Sequence, residues 1–148
     1  FWSPDCGHCK KVTPKLEKLY TEKFKGRNVE VFAITKALGK DFDLWKKFSR
    51  ENKLTFANVA VTESLFNLAQ KNARAVVPQY TTFDALNYHI TYDIYATPRV
   101  FVLDKNNMII AKQLTISQLE DFIDRMQKVD NAPKLFPPDP EEEESMKD

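Results

Sequence analysis

Both cysteines of this 148-residue chain lie in one four-residue motif near its start, Cys6-Gly7-His8-Cys9. After the motif, apolar residues recur at helical spacing at Val12, Leu16, Leu19 and Tyr20. The motif therefore opens an amphipathic helix over residues 10–24. Because no cysteine remains for a structural disulfide framework, any function of the thiols belongs to this one pair.

Two thiols separated by two residues at a helix start are typical of dithiol–disulfide exchange. Cys6, at the helix N-terminus, meets unpaired backbone N–H groups and the positive end of the helix dipole, which favour its thiolate. Cys9 lies nearly one turn further in, where burial disfavours a charge. The spacing thus predicts that Cys6 attacks a substrate disulfide and that Cys9 resolves the mixed disulfide.

The residues around the cysteines are expected to set the reduction potential of the pair. A protonated His8 would place a positive charge beside the Cys6 thiolate, stabilise the reduced form and make the disulfide a stronger oxidant. Asp5 opposes this effect, because its negative charge immediately precedes Cys6. We therefore assign redox tuning to Asp5, Gly7 and His8. The alternative for His8 is a solvated loop side chain with no effect on the potential.

A Cys-x-x-Cys motif can also be half of a zinc site, but such a site needs two more ligands. The chain has no second cysteine pair, and only His8 and His89 could complete a nitrogen–sulfur set. We predict no metal and no cofactor other than the redox-active cysteine pair. The alternative function is a copper-binding or metallochaperone-like module in which Cys6, Cys9 and His89 hold a soft copper ion. The simpler interpretation of His89 is a partly buried helix residue.

Composition and charge exclude several classes of protein. With 22 basic and 21 acidic residues the formal charge is +1, so no global field attracts nucleic acid or anionic lipid. Hydrophobic residues make up 43% of the chain and charged residues 29%, as in a packed globular domain. No apolar run approaches the roughly 20 residues that cross a bilayer. The first five residues lack the basic and apolar regions of a signal peptide.

Helical and strand-like patterns alternate along the chain. Residues 28–35 are β-branched and apolar, which predicts a buried strand. A second helix is expected to start near Asp41, as its cap, and to end near Lys53.

The second half of the chain predicts a hairpin and a last helix. Residues 99–103 and 108–112 flank a turn-forming cluster and are expected to pair antiparallel. Ser117 and Glu120 have the spacing of a capping box, which predicts the start of a helix that ends near residue 128.

The end of the chain has a different composition. Residues 130–148 contain four prolines and a run of glutamates, and such a segment cannot bury enough apolar surface to offset its ordering entropy. We therefore predict one folded domain over residues 1–129 and a flexible, Pro-rich and acidic tail over residues 130–148. An acidic run can recruit a basic partner, but we favour a solvated tail.

The cysteine motif and its surroundings resemble the active-site helix of the thioredoxin superfamily. Phe1-Trp2, the motif itself, Lys10 and Pro14 carry this resemblance, and Thr97-Pro98 resembles the superfamily's cis-proline loop. The resemblance implies an α/β thioredoxin-like fold, with a central mixed sheet flanked by helices. It also implies that Trp2, Thr97 and Pro98 dock an extended substrate strand beside the cysteine pair.

Within the superfamily the chain is similar to the TlpA/ResA-like thiol-disulfide oxidoreductases of Bacteroidetes. Residues 92–98 (Tyr-Asp-Ile-Tyr-Ala-Thr-Pro) and 103–106 (Leu-Asp-Lys-Asn) stand in positions typical of that branch, and the similarity covers residues 1–128. That branch faces the periplasm, so the resemblance implies a periplasmic or otherwise extracytoplasmic location. It also implies that the chain reduces disulfides of protein partners and receives electrons from a thiol donor in the membrane.

Three features depart from that branch. Asp5 stands where a tryptophan usually precedes the first cysteine, and Gly7-His8 resembles the interior of the protein disulfide isomerase motif. Residues 62–82 form a longer connection than usual, in which Leu65, Phe66, Leu68 and Ala69 indicate an added helix. The direction of electron flow is open between reductase, which we favour, and isomerase. A domain that binds proteins without turnover is a third alternative.

The start of the chain lies inside the expected sheet. In thioredoxin folds the strand that ends at Phe1-Trp2 is central, between the strands expected at residues 29–34 and 100–103. Almost all of that strand would precede residue 1. Because each unpaired backbone group in a core costs about 1–3 kcal/mol, we expect the sequence to be a fragment of a longer chain. Any export signal or membrane anchor would then lie upstream.

Overall fold

The helix predicted after the cysteines is present. In the computed structural model, which describes residues 1–129 and 131–145, helix α1 spans Gly7–Leu19 and includes Pro14. The chain then continues through a π-helical turn over Tyr20–Phe24. Val12, Leu19, Tyr20 and Phe24 are all buried, so the apolar stripe of the sequence faces the core.

The remaining elements follow in the order strand, helix, strand, three helices, hairpin and two helices. They are β1 Phe32–Lys36, α2 Lys40–Glu51, β2 Ala57–Val61, α3 Glu63–Lys71, α4 Phe83–Leu86, α5 Tyr88–Thr91, β3 Phe101–Leu103, β4 Ile109–Lys112, α6 Ile116–Met126 and α7 Pro140–Ser145. Strand β1 pairs parallel with β2, and β3 pairs antiparallel with β4. The predicted hairpin is therefore confirmed. Strand β2 was not predicted, and none of its side chains is fully buried.

The strand pairs β1–β2 and β3–β4 are two two-stranded sheets, and Phe1 and Trp2 bridge them through backbone hydrogen bonds. The Trp2 N–H donates to the Ile34 carbonyl at 3.0 Å, and the Arg99 N–H donates to the Phe1 carbonyl at 2.9 Å. The Phe1 amine donates back to the Arg99 carbonyl at 2.9 Å, so these two residues exchange both bonds as in an antiparallel ladder. The order across the two bridged sheets is β2, β1, residues 1–2, β3 and β4. This is the central position predicted for Phe1-Trp2.

Helices α1, α2 and α6 cover the sheet through a shared apolar core. Its buried members include Trp2, Cys9, Val12, Leu19, Phe56, Ile116, Leu119 and Ile123. The Trp2 ring also lies 5.3 Å from that of Phe48 on α2. Each large side chain buried in this way contributes about 1.5–3 kcal/mol. Within the described residues, no helix has both the length and the apolar character that crossing a bilayer requires.

The cap of helix α6, Thr115, lies two residues before the predicted cap, Ser117. The Thr115 hydroxyl accepts a hydrogen bond from the Gln118 N–H, and the Gln118 side chain accepts one from the Thr115 N–H. This is a reciprocal capping box, so the box predicted at Ser117 and Glu120 is wrong. Glu120 is fully buried and instead accepts hydrogen bonds from backbone groups near the C-terminus.

Residues 131–145 lie against the domain, in contrast to the flexible tail predicted from composition. Leu135 and Phe136 pack on the core, and their N–H groups donate to the Glu120 carboxylate at 2.9 and 3.2 Å. Helix α7 follows them. The other residues of the predicted tail, 130 and 146–148, lie outside the described part of the chain.

The added helix predicted within residues 62–82 is α3. Leu65 and Phe66 are half-buried there, and Leu68 is 42% exposed. None of the three belongs to the core cluster, so α3 is a surface helix. The segment then passes the fully buried Val76 and returns through α4 and α5 towards the hairpin.

Candidate active site

Cys6 caps the N-terminus of α1. Its backbone is extended, with φ −71° and ψ 124°, and its Sγ accepts a hydrogen bond from the Cys9 N–H at 3.2 Å. A capping side chain satisfies one of the amides that the first helical turn leaves unpaired. The same amide and the helix dipole stabilise a negative charge on the sulfur. Cys6 is only partly buried, so the residue keeps access to solvent.

Cys9 lies one turn further along and is fully buried. Burial is the main cause that raises the pKa of the Cys9 thiol to about 12, and its hydrogen bond with Cys6 acts in the same direction. The Cys9 Sγ also accepts a hydrogen bond from the Ser3 N–H at 3.4 Å. Both cysteines are free thiols in this structure. The two sulfurs therefore differ in access and in their preference for charge.

The loop before β3 reaches the cysteine pair. The Thr97–Pro98 peptide bond is cis, and the Cys6 thiol donates to the Thr97 carbonyl at 3.3 Å. Pro98 is buried and Thr97 is partly exposed. The backbone pairing of Arg99 with Phe1 fixes this loop beside the motif. The structure thus brings together Cys6, Thr97 and Pro98, which the sequence had assigned to one site.

Trp2 lies in the core and not on a docking surface. Its indole is 5% exposed, and its Nε1–H donates to the Asn58 Oδ1 at 3.2 Å. The Trp45 Nε1–H donates to the same oxygen, also at 3.2 Å, and the Asn58 amide donates to the Ser49 hydroxyl at 2.9 Å. Since a buried indole cannot meet a partner, the docking role predicted for Trp2 has no support here. Asn58 holds two tryptophans and was missed by the sequence analysis.

The three residues assigned to redox tuning surround Cys6 at the surface. Asp5, Gly7 and His8 are all exposed, and the Asp5 carboxylate accepts a hydrogen bond from the Ser3 hydroxyl. His8 also lines a narrow cleft between α1 and the C-terminal segment. The other residues of this cleft are Lys11, Val12, Lys15, Asp139, Glu141 and Glu142. The sequence analysis did not place these carboxylates near the motif, because more than 120 residues separate them from it.

His89 lies in α5, where it is exposed. Its ring is nearly perpendicular to that of Tyr88, and the two ring centres are 5.7 Å apart. Throughout residues 1–129 and 131–145, no three His, Cys, Asp or Glu side chains are grouped so that they could hold a metal ion. His89 therefore does not join Cys6 and Cys9 in a ligand set. It is a helix residue, as the simpler interpretation expected, but an exposed one.

The mixed sheet, the capping Cys6, the buried Cys9 and the cis-proline loop together define a dithiol protein of the thioredoxin fold. A family model described as thioredoxin-like matches residues 1–109, and the chain belongs to this family. The resemblance to the thioredoxin superfamily and the predicted fold class are confirmed.

Two solved structures from Bacteroides are similar to this chain. The thioredoxin domain of a thiol-disulfide oxidoreductase from Bacteroides vulgatus is 22% identical with a TM-score of 0.63, over 85% of this chain and 74% of that chain. A thiol:disulfide interchange protein from a Bacteroides species is also 22% identical with a TM-score of 0.63, over 88% of this chain and 72% of that one. At this identity the likeness shows the fold. The search of curated proteins gave no match.

Proposed function

We propose that this chain is a thiol-disulfide oxidoreductase that reduces disulfides of exported protein partners. The observation that carries the proposal is the asymmetry of the two sulfurs. Cys6 caps a helix and keeps access to solvent, whereas Cys9 is fully buried with a pKa raised to about 12. Such a pair separates attack from release, because a buried neutral thiol does not compete for the substrate.

The exchange then proceeds in two steps. The Cys6 thiolate attacks one sulfur of the partner disulfide, forms an intermolecular S–S bond and releases the other partner sulfur as a thiol. Cys9 loses its proton as it attacks the Cys6 sulfur, which breaks the intermolecular bond and frees the second partner thiol. Two electrons have passed to the partner, and a Cys6–Cys9 disulfide remains. A separate thiol donor returns the electrons.

The Thr97-Pro98 loop is the proposed docking site for the partner backbone. The Thr97 carbonyl lies 3.3 Å from the Cys6 sulfur, so a polypeptide joined to Cys6 passes within reach of it. An N–H group of an extended partner strand can take the place of the Cys6 thiol as the donor to this carbonyl. This contact needs only backbone groups and so suits partners of many sequences.

Family membership supports a partner that is a protein and a mechanism that needs no cofactor beyond the cysteine pair. We infer a periplasmic or otherwise extracytoplasmic location, supported by the similarity to the TlpA/ResA-like branch. We likewise infer a thiol electron donor in the membrane. The same similarity favours reductase over isomerase.

We predict that Cys9→Ser traps partners on Cys6 as stable mixed disulfides, because the attacking thiol remains and the releasing thiol is gone. Affinity-purified variant protein, incubated with a periplasmic extract and separated without reductant, should show bands that dithiothreitol removes. Cys6→Ser is the matched control and should show none. Equal trapping by both variants would contradict the roles assigned to Cys6 and Cys9.

Turnover is measured separately as the reduction of insulin by dithiothreitol. The wild-type protein should accelerate insulin precipitation, and Cys6→Ser should lose the acceleration entirely. A failure to trap mixed disulfides, together with no acceleration, would instead indicate a domain that binds proteins without turnover.

A further inference from the structure

The C-terminal segment runs along α1 towards the cysteine motif. We call residues 133–145 the strap. Three contacts show its direction. The Lys18 Nζ lies 5.8 Å from the centre of the Phe136 ring. Further along the strap, Asp139 forms an ion pair with Lys15 at 2.9 Å, and Glu141 forms one with Lys11 at 3.2 Å. As the strap advances, its partners on α1 come progressively closer to Cys6. The strap is therefore antiparallel to α1 and ends beside the motif.

Buried contacts anchor the strap at both ends. At its start, the Leu135 and Phe136 N–H groups donate to the fully buried Glu120 carboxylate. Near its end, the Glu142 carboxylate accepts a hydrogen bond from the Ile116 N–H at 3.1 Å, and Glu142 is only 6% exposed. That amide is one of those that the first turn of α6 leaves unpaired. The position of the strap on α1 is thus fixed by contacts that do not involve the cysteines.

The strap brings an excess of negative charge to the first half of α1. It carries five carboxylates over residues 139–144, and three of them, Asp139, Glu141 and Glu142, pair with Lys11 or Lys15 of α1. Lys11 follows Cys6 by five residues, or about 8 Å along the helix axis, which is about one screening length at physiological salt. Glu141 and Glu142 share a cleft with His8. The strap therefore brings carboxylates to the part of α1 that carries the motif.

We propose that the strap lowers the reduction potential of the Cys6–Cys9 couple by placing these carboxylates beside the N-terminal half of α1. The inference rests on the proposed function, since it needs a working redox couple. Only the reduced form carries the Cys6 thiolate, so nearby negative charge destabilises that form and leaves the disulfide unaffected. Asp5 acts in the same direction. Lys10 and a protonated His8 act in the opposite one, and Lys11 and Lys15 offset two of the five charges through their ion pairs.

The strap thereby opposes the isomerase-like interior of the motif. Gly7-His8 favours a more oxidising couple, whereas the strap shifts the couple towards reduction of partners. The direction of electron flow would then depend on residues outside the motif as well as on those inside it.

The test measures the equilibrium of the protein with glutathione, in which the protein disulfide and two glutathione molecules give the protein dithiol and glutathione disulfide. Glu141→Gln removes one exposed carboxylate, and Glu141→Gln combined with Glu143→Gln and Glu144→Gln removes three. Asp139 and Glu142, which anchor the strap, are left unchanged. The triple variant should raise the equilibrium constant for dithiol formation by about twofold to fivefold at low salt, with a smaller rise for the single variant.

The matched control is Glu22→Gln. Glu22 is also an exposed glutamate paired with a lysine of α1, Lys18 at 4.0 Å, but it follows Cys6 by 16 residues, or about 24 Å of helix. Its replacement should leave the constant unchanged. Amide hydrogen exchange at Leu135 and Phe136 reports whether the strap stays docked.

An unchanged or smaller constant in the triple variant, with both amides still protected, overturns the proposal. A second measurement, on the wild-type protein, tests the proposal even if the strap of the triple variant undocks. In the wild-type protein, 1 M salt should raise the constant towards the value of the variant, and a constant that salt leaves unchanged also overturns the proposal. If the wild-type cysteines formed no disulfide in the glutathione buffer, this result would instead contradict the proposed function.

Discussion

At the scale of single residues, His8 is the one side chain between the two cysteines that can carry a charge, and it is exposed beside Cys6. We predict that it brings the couple nearer to the roughly −180 mV of protein disulfide isomerase than to the roughly −270 mV of thioredoxin. His8→Pro should lower the potential, because proline cannot supply the positive charge with which a protonated His8 would stabilise the Cys6 thiolate. Titration with glutathione measures both values.

His8 and Glu141 provide a paired comparison. His8→Pro should make the couple more reducing, and Glu141→Gln should make it more oxidising, since a protonated His8 and the Glu141 carboxylate would carry opposite charges in the same cleft. A potential unmoved by His8→Pro would show that His8 is only a solvated loop residue.

Single-residue arguments from the sequence were accurate where the chemistry is local. The amide that Cys6 caps belongs to Cys9, three positions away, so spacing alone locates it. Trp2 shows the limit, because its partner Asn58 is 56 positions away. Nothing in the local sequence distinguishes an indole held by a distant amide from an indole offered to a substrate.

At the scale of elements, residues 62–82 are the segment that we interpret as an addition to the domain. Helix α3 contributes only half-exposed apolar side chains, and the chain returns from it through α4 and α5 to Thr97. Tyr80, in the same stretch, is 61% exposed. We propose that this segment contributes to partner choice rather than to catalysis.

Replacing residues 62–82 by a short Gly-Ser bridge should leave reduction of a small disulfide largely intact. Capture of protein partners by the Cys9→Ser trap should become weaker, since an exposed segment that leads through α4 and α5 to the docking loop is removed. The control is a thermal unfolding curve of the shortened chain by circular dichroism. Unfolding on replacement would assign the segment, which includes the buried Val76, to the core and remove the support for a role in partner choice.

Apolar periodicity predicted α1, the hairpin and α6, but it did not decide their boundaries. Two overlapping boxes precede α6, at Thr115 with Gln118 and at Ser117 with Glu120, and both fit the same spacing rule. Tertiary burial decides between them, because Glu120 is used to bind the strap. Strand β2 has no fully buried side chain, so its sequence shows only a weak alternation of apolar and polar residues.

At the scale of the whole molecule, buried charge links the strap to both helices on which it lies. Glu120 and Asp124 of α6 are buried and meet Lys23 from the π-helical turn. Composition suggested a flexible tail because prolines and glutamates bury little apolar surface themselves. Composition could not show that Glu120 of α6 accepts hydrogen bonds from the strap backbone, or that Asp124 of α6 forms an ion pair with Lys134.

Asp124 gives this cluster a measurable pH dependence. Burial alone would raise its pKa, but hydrogen bonds from Lys134, Arg27 and Lys23 outweigh burial and lower the pKa from 3.8 to about 2. A carboxyl with a depressed folded pKa stabilises the fold above its unfolded pKa, and this stability is lost as the pH falls through the folded value. The shift corresponds to at most about 2 kcal/mol.

We therefore predict that Asp124→Asn lowers the free energy of unfolding at pH 7 and that its deficit relative to the wild type shrinks by up to about 2 kcal/mol between pH 4 and pH 2. Urea unfolding at a series of pH values measures the deficit. Asp43→Asn is the control, because Asp43 is an exposed carboxylate whose pKa is also lowered, by Lys46, and whose ion pair is screened by solvent. Its deficit should be small at every pH. A deficit for Asp124→Asn that stays constant from pH 7 to pH 2 would mean that the carboxylate acts through packing, and that charge does not hold the strap on α6.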